Sequence, residues 1–308
     1  MKTARELFLE LGGKLEEIKG VYFPTVHSTP LKTPNGAPYL QKPGVALVAK
    51  PQVYPNAIQS FLNGFDKELE FNHYLQDPDG MTDGEWISKL AGQLCYMSFG
   101  PKRTWNKDAA KYLEHIKESG HGSVFEHSNF TFLLYGLSRS VTHELVRHRS
   151  GCGYSQVSQR YVSGKVLRFV ERPEYQAIPE LHELFIGRID TAYTDYHKVA
   201  EVLLKLQGSG EKILSAEAKT DLRKKVQQCA RSLLPNETEA PIFMTGNVRA
   251  WRHILEMRAS EFAEVEIREL VFRIFLCLVE VEPKLFGDYE IKELPDGTKI
   301  VSTKYRKV

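Results

Sequence analysis

The stretch SNFTFLLYGLSRSVTHELVRHR, residues 128–149, constrains the fold more than any other. Residues 128–137 are aromatic and extended in character, Ser138 is a good N-cap, and nothing after it breaks a helix. A strand therefore hands the chain directly to a helix that ends in Arg147, His148 and Arg149. On that helix Glu144 and His148 lie four apart on one face, with His143 and Arg147 on a neighbouring one. Gly151 and Gly153 then stop the helix, and YSQVSQRYV reads as an irregular segment whose polar groups are free to converge.

Around this centre, VALVAK at 45–50 reads as a buried strand, and GEWISKLAGQLCYMSF at 84–99 as a helix with Trp86, Leu90 and Leu94 on one face. NKDAAKYLEHIKESG predicts a helix capped by Asn106, stopped at Gly120 and burying Ala109, Tyr112, Leu113 and Ile116. The second half is mostly helical, over 180–206, 218–234 and 247–281. Leu222, Val226, Cys229, Ala230 and Leu233 form one apolar stripe ahead of a stop at Pro235. After Asn247, the residues Trp251, Ile254, Leu255 and Arg258 share a face, which puts a guanidinium where a core side chain is expected. Residues 1–43 open with a short amphipathic stretch, continue through a Pro-, Gly- and Thr-rich segment without period, and read as an extension draped on the main body.

With 308 residues, 42% of them hydrophobic, the chain can bury a substantial core. Its formal charge is only +2, so no field over the whole surface argues for nucleic acid or membrane, and any basic site must be local. The four cysteines form no CxxC pair and the ten histidines show no HxH or HExxH spacing. This argues against a disulfide framework, a structural zinc or a catalytic metal, and suits a reducing cytoplasm. The first thirty residues hold no long apolar run, and VFRIFLCLVEV is interrupted by Arg273 and Glu280, so neither a signal peptide nor a membrane span is expected.

Arg147, Arg149, Arg160, Arg231, Arg249 and Arg258 are candidates for binding an anion, because guanidinium forks bond phosphate or planar carbonyl groups in pairs and stay charged. An isolated RHR is ordinarily a solvated helix face or a salt bridge. Here Ser155, Gln156, Ser158 and Gln159 follow it, adding neutral donors and acceptors that can read an amide-like edge such as uracil or the pyrimidine ring of a flavin. Charge beside amide chemistry points to a nucleotide-like ligand. A nucleic-acid-binding module is the competing class, but it needs a basic stripe with stacking aromatics, which the near balance of charge disfavours.

Five ordered segments then carry a resemblance that one triplet could not: LCYMS, GHGSVFEHSNFTF, SRSVTHELVRHR with YSQVSQRYV, ARSLLPNETE, and TGNVRAWRHILEMRASEFAEVEIREL. From about residue 44 to the end, the chain resembles the flavin-dependent thymidylate synthases. The resemblance implies an α+β fold, an antiparallel sheet flanked by helices, in a catalytic domain over 44–308 behind an N-terminal extension over 1–43. It implies reductive methylation of dUMP to dTMP, with methylenetetrahydrofolate as carbon donor, FAD as redox carrier and NADPH as reductant. It also implies a cytoplasmic homotetramer whose active sites are shared between subunits.

By position, the resemblance puts His121, Ser123, Arg147, His148, Arg149, Asn247 and His253 on FAD-contacting segments. Glu144, Gln156, Ser158, Arg160, Arg231 and Arg258 fall on dUMP-binding ones, with Arg258 and Ser158 in catalytic positions. A guanidinium at a uracil carbonyl would stabilise negative charge as hydride adds to the ring, so no thiol is required and Cys152 reads as a packing residue. The spacing departs from the family at one point: eight residues separate Arg149 from Ser158, where seven are usual. The added residue falls in SGCG, whose two glycines can absorb a bulge. Because that loop adjoins the nucleotide segment, UMP as substrate and hydroxymethylation as outcome stay open as alternatives.

Overall fold

The computed structural model describes residues 2–18, 21–76, 80–101, 103, 107–209, 219–306 and 308. The chain opens with helix α1 (Ala4–Glu10) and strands β1 (Gly13–Ile18), β2 (Val21–Val26), β3 (Leu31–Lys32), β4 (Pro38–Leu40) and β5 (Gly44–Ala49). Helices α2 (Pro55–Leu62), α3 (Asp83–Cys95) and α4 (Ala109–Glu118) follow. Next come β6 (Asn129–Tyr135), α5 (Arg139–Leu145), β7 (Cys152–Gln156) and β8 (Phe169–Val170). Helices α6 (Pro173–Gln176), α7 (Pro179–Gly208) and α8 (Lys219–Ala230) lead to β9 (Ile242–Asn247). The chain then runs through α9 (Val248–Arg258), α10 (Val265–Val281) and α11 (Pro283–Phe286) to a hairpin of β10 (Glu290–Glu293) and β11 (Lys299–Ser302).

Six strands pair in the order β1-β2-β5-β6-β9-β7, every neighbour antiparallel. Strand alternation gives this sheet two unlike faces. Val45, Leu47, Phe130, Phe132, Ile242 and Met244 enter the main core, whereas Val48, Thr131, Leu133, Phe243 and Thr245 between them stay half-buried or exposed. Helix α10 joins that core with Leu270, Val271, Ile274, Phe275 and Leu278 all sealed from water, each contributing about 1.5–3 kcal/mol. From α9, Trp251 meets Phe132 edge-on with centroids 5.3 Å apart. Among the described residues no helix is long and apolar enough to cross a membrane.

Residues 1–43 are more than draped. Strands β1 and β2 belong to the large sheet, with Thr25 and Val26 paired to Ala46 and Val45, while β3 and β4 join β8 in a second, three-stranded sheet. Pro24 hides β2 from a sequence reading, yet it is tolerated because β2 bonds β5 only through the two residues beyond it. Tyr39 and Phe169 of the small sheet pack with Phe185, Ile189 and Ala230 in a separate core.

Helix α4 buries the four residues expected of it, but its cap is Asp108, which accepts from the Ala110 and Lys111 amides; Asn106 lies outside the described residues. Helix α3 departs further. It turns Glu85, Ser88, Lys89 and Gln93 inward and leaves Leu94 exposed, with Trp86 and Leu90 half-buried. The inward polar groups find partners: Glu85 accepts from the backbone N and Nζ of Lys284 at 2.8 Å each, and Gln93 Oε1 from the Tyr74 hydroxyl at 2.7 Å. Periodicity cannot see such partners, and a satisfied polar group is cheap to bury. The α8 stripe also splits. Val226 and Ala230 are buried, but Cys229 is exposed, as is Leu233, where the chain tightens into a 3₁₀ turn at Arg231–Leu233; Ala218 lies outside the described residues. The run 247–281 is two helices, and Arg268 Nη2 bonds the Glu261 and Ala263 carbonyls in the break between them.

Candidate active site

Strand β6 delivers α5 through Ser138, whose Oγ accepts from the Val141 amide at 3.3 Å. Glu266, in the first turn of α10, accepts in turn from Ser138 N at 2.7 Å and Oγ at 2.9 Å. The helix ends at Leu145, sooner than expected, and Arg147, His148 and Arg149 lie in the turn beyond it. Tyr154 of β7 is the cause. Its hydroxyl sits 2.9 Å from the Leu145 carbonyl oxygen and 2.6 Å from that of His148, occupying acceptors that a longer helix would have bonded itself. Arg147 and Arg149 are exposed, and among the described residues neither guanidinium has an ion-pair or hydrogen-bond partner.

The segment after the turn is regular where irregularity was expected. β7 is the edge strand of the large sheet and pairs with β9 from Cys152 opposite Gly246 to Gln156 opposite Ile242 without a shift of register. Gly153 forms no bulge, and Gly151, just before the strand, has φ +69°. A Cβ on Gly151 would lie 2.6 Å from Asn247 Nδ2. Asn247 cannot step aside, since it is buried, its N–H bonds the Gly151 carbonyl at 3.1 Å, and its Oδ1 caps α9 from the Ala250 amide at 2.8 Å. Gly151→Ala is thus expected to cost about 1–3 kcal/mol through a strained φ and a displaced cap. A urea-denaturation midpoint unchanged from wild type would contradict this.

Arg258, the last residue of α9, reaches across to α5. Its Nη1 donates to Glu144 Oε2 at 2.6 Å and its Nε to His148 Nε2 at 3.1 Å. The His253 ring meets His148 edge-on with centroids 5.6 Å apart. A guanidinium only donates, so His148 Nε2 is the bare nitrogen and the ring proton sits on Nδ1. Burial, then the charge of Arg258 and the nearby His253, push the His148 pKa down to about 4, and the imidazole is neutral at physiological pH. Glu144 moves the other way: burial and a hydrogen bond to Glu264 raise its pKa against the pull of Arg258 and Arg172. Glu264 is itself ion-paired with Arg172. Sequence reading singles out neither Glu264 nor Arg172, because their pairing joins segments that no local spacing connects.

The other candidates lie around this cluster. Gln156 Nε2 is 3.4 Å from Thr142 Oγ1, tying β7 to α5. Ser158 Oγ accepts from the Arg160 amide at 3.3 Å. Gln228 of α8, with its amide oxygen turned to Arg160, accepts from Nε at 2.6 Å and Nη2 at 2.8 Å. Arg231 opens the turn just past α8. No hydrogen bond or ion pair among the described residues links Arg160 or Arg231 to the Glu144–Arg258 cluster. His121 and Ser123 are exposed near α9, where a Cβ on Gly122 would come within 3.1 Å of Arg249 Nε. His121 also lines a cleft of about 740 Å³ together with Tyr96, Met97, Ser98, Arg103 and His115. Burial raises the Cys152 thiol pKa, which keeps it protonated and unreactive.

A family model described as thymidylate synthase complementing protein matches residues 79–284. A flavin-dependent thymidylate synthase of Mycolicibacterium gilvum (strain PYR-GCK) is 42% identical over 227 residues, 74% of this chain and 87% of its own. The chain belongs to the thymidylate synthase complementing protein family. Proteins of the same name from Mycobacterium sp. (strain JLS) and Mycobacterium leprae (strain TN) are 43% and 40% identical over 221 and 230 residues. They cover 71% and 74% of this chain and 85% and 87% of their own. The family match begins ahead of α3 and takes in Glu144, His148, His253, Arg258 and Glu264, leaving α1 to β5 outside it.

Proposed function

We infer that this family member carries out the reaction its relatives are named for. It makes dTMP from dUMP by flavin-dependent reductive methylation at carbon 5, with FAD as redox carrier, 5,10-methylenetetrahydrofolate as carbon donor and NADPH as reductant. The observation that carries this reading is Arg258, a permanent charge held part-buried between a carboxyl group and a neutral imidazole, beside a turn whose two arginines have no hydrogen-bond or ion-pair partner among the described residues. That arrangement suits a planar, anion-bearing ligand.

The residues present fit a flavin. Arg147 and Arg149 offer exposed guanidiniums to its phosphates, His148 and His253 offer flat rings, and His121 and Ser123 stand exposed near the start of α9. When bound, FAD supplies the hydride chemistry that no side chain can perform. Arg258 works electrostatically: Glu144 and His148 fix its guanidinium in place, so it is preorganised for charge developing on a uracil carbonyl. Arg160 and Arg231 hold the nucleotide phosphate, Arg160 exchanging Gln228 for it, while Gln156 and Ser158 read the pyrimidine edge, Ser158 on the catalytic side.

We infer a homotetramer with shared sites, a reading that the surface of the single chain supports. Among the described residues no hydrogen bond or ion pair joins Arg160 or Arg231 to the cluster, and Phe262 and Tyr96 are 92% and 77% exposed, as surfaces awaiting another subunit are. Four free cysteines suit the cytoplasm. The catalytic domain is taken from residue 44, with 1–43 an extension that completes the sheet. Titration of FAD into the purified protein, followed by anaerobic NADPH, tests the reading: bleaching that dUMP accelerates is expected, and a protein that perturbs no flavin spectrum overturns it.

A further inference from the structure

Arg273 interrupts the apolar run VFRIFLCLVEV, and the fold nonetheless keeps it inside: on α10 it is only 6% exposed. Among the described residues its guanidinium makes no hydrogen bond and no ion pair. Arg252 and Arg268, buried as deeply, are held by Asp288 and by Asp296 with two backbone carbonyls. Glu269, four residues before Arg273 on the same helix, is spaced to pair with it, yet its carboxylate goes to Lys42 Nζ at 3.1 and 3.4 Å. Burial lowers the Arg273 pKa against the pull of Glu269, but a guanidinium stays charged at any working pH. A charge withdrawn from water without a partner is costly unless a ligand meets it.

The guanidinium lines a cleft of about 160 Å³ between α1, α10 and the start of β11. Leu7, Leu11 and Phe272 give the cleft an apolar wall, and Lys299 adds a second cation. Two carboxyl groups line it as well, but Glu10 is ion-paired with Lys2 and Glu269 with Lys42. Lys299 in turn is offset by Glu293 at 3.2 Å. The charge left over is that of Arg273.

We propose that this cleft binds a small oxyanion, a phosphate or a short carboxylate, which accepts from the paired N–H groups of Arg273. Guanidinium forks match both groups in geometry. The cleft is too small for a nucleotide or a folate, whose pockets run to about 300 Å³ or more. None of the residues assigned above to flavin or nucleotide lines it, so the proposal stands apart from that reading. Only its α10 wall falls within the family match: Leu7, Leu11 and Lys42 precede residues 79–284 and Lys299 follows them. An anion seated there joins the N-terminal extension and the last hairpin to α10, and therefore stabilises the fold by mass action.

The experiment is calorimetric titration of the full chain with inorganic phosphate and, separately, with butyrate, at an ionic strength held constant with chloride. Urea denaturation with and without each anion accompanies it. The wild-type protein is expected to bind an additional anion equivalent per chain that Arg273→Met lacks, and its urea midpoint to rise with the anion more than the variant's does. Anions taken up by other arginines are common to both proteins and cancel in the comparison. Without anion, Arg273→Met is expected to be at least as stable as wild type, because an apolar chain replaces an unpaired buried charge. Arg273→Lys keeps the charge but not the fork and should bind about tenfold more weakly, a test that holds even where Arg273→Met fails to fold. Added binding of phosphate alone, of butyrate alone or of both supports the site and names the group it takes. Equal uptake by wild type and Arg273→Met, equal affinity in wild type and Arg273→Lys, or an effect that chloride matches overturns the proposal.

Discussion

Arg258→Ala is expected to slow dTMP formation by about 100-fold or more while flavin binding survives. The substitution removes the guanidinium that bonds both Glu144 and His148, and with it the fixed charge proposed to face the uracil carbonyl. Of the residues assigned to the flavin, His148 loses one bond, whereas Arg147, Arg149, His121, Ser123, Asn247 and His253 make no hydrogen bond to Arg258 among the described residues and keep their places. Arg258→Lys should recover little of the loss, because an ammonium on a flexible stem cannot reproduce a fork that meets two acceptors at once. Steady-state rates with dUMP, set against the visible flavin spectrum of each variant, check both halves, and near-wild-type turnover in Arg258→Ala would contradict the role.

Asp288→Ala is expected to destabilise the fold by about 3–5 kcal/mol, because it strands buried positive charge. Asp288 takes both Arg252 Nη atoms at 2.8 Å each, Lys117 Nζ at 3.0 Å and the Thr303 hydroxyl at 2.6 Å. Burial alone would raise its pKa, but the Arg252 bonds and charge, then Lys117, outweigh that and hold it at about 2. Lys117 is the weaker cation, since burial, with the charge of Arg252, lowers its pKa against the pull of Asp288. After the substitution Lys117 can shed its proton, whereas Arg252 cannot. The depressed carboxylate pKa fixes the pH dependence: the stabilisation is complete above the ordinary range of an unfolded Asp and disappears as pH falls from about 4 through about 2. A denaturant midpoint within error of wild type would contradict the expectation. Because Arg252 sits on α9 beside His253 and in the same helix as Arg258, this ion cluster also steadies the helix that carries them.

What was legible in the sequence was whatever depends on near neighbours. The hand-over from β6 to α5 at Ser138, the buried face of α4 and the outlying guanidinium on the face of Trp251, Ile254 and Leu255 all follow from spacing and capping. Long-range partners were not legible. Helix α5 stops early because of a hydroxyl nine residues beyond its end, α3 turns a polar face inward because Lys284 and Tyr74 satisfy it, and β2 is a strand despite Pro24 because of where β5 joins it. At the candidate site, spacing put Glu144 and His148 on one face, but only the fold shows both of them meeting Arg258, and only the fold brings Glu264 and Arg172 behind Glu144. Spacing singled out the loop before Ser158, but not the close approach of Gly151, at φ +69°, to Asn247.

The most direct measurement is the identity of the product, read by mass spectrometry after the protein is incubated with FAD, NADPH, methylenetetrahydrofolate and either dUMP or UMP. Conversion of dUMP to dTMP, with UMP left unchanged, is the predicted result. A hydroxymethylated nucleotide, a preference for UMP, or no product from a protein that binds flavin would contradict the account.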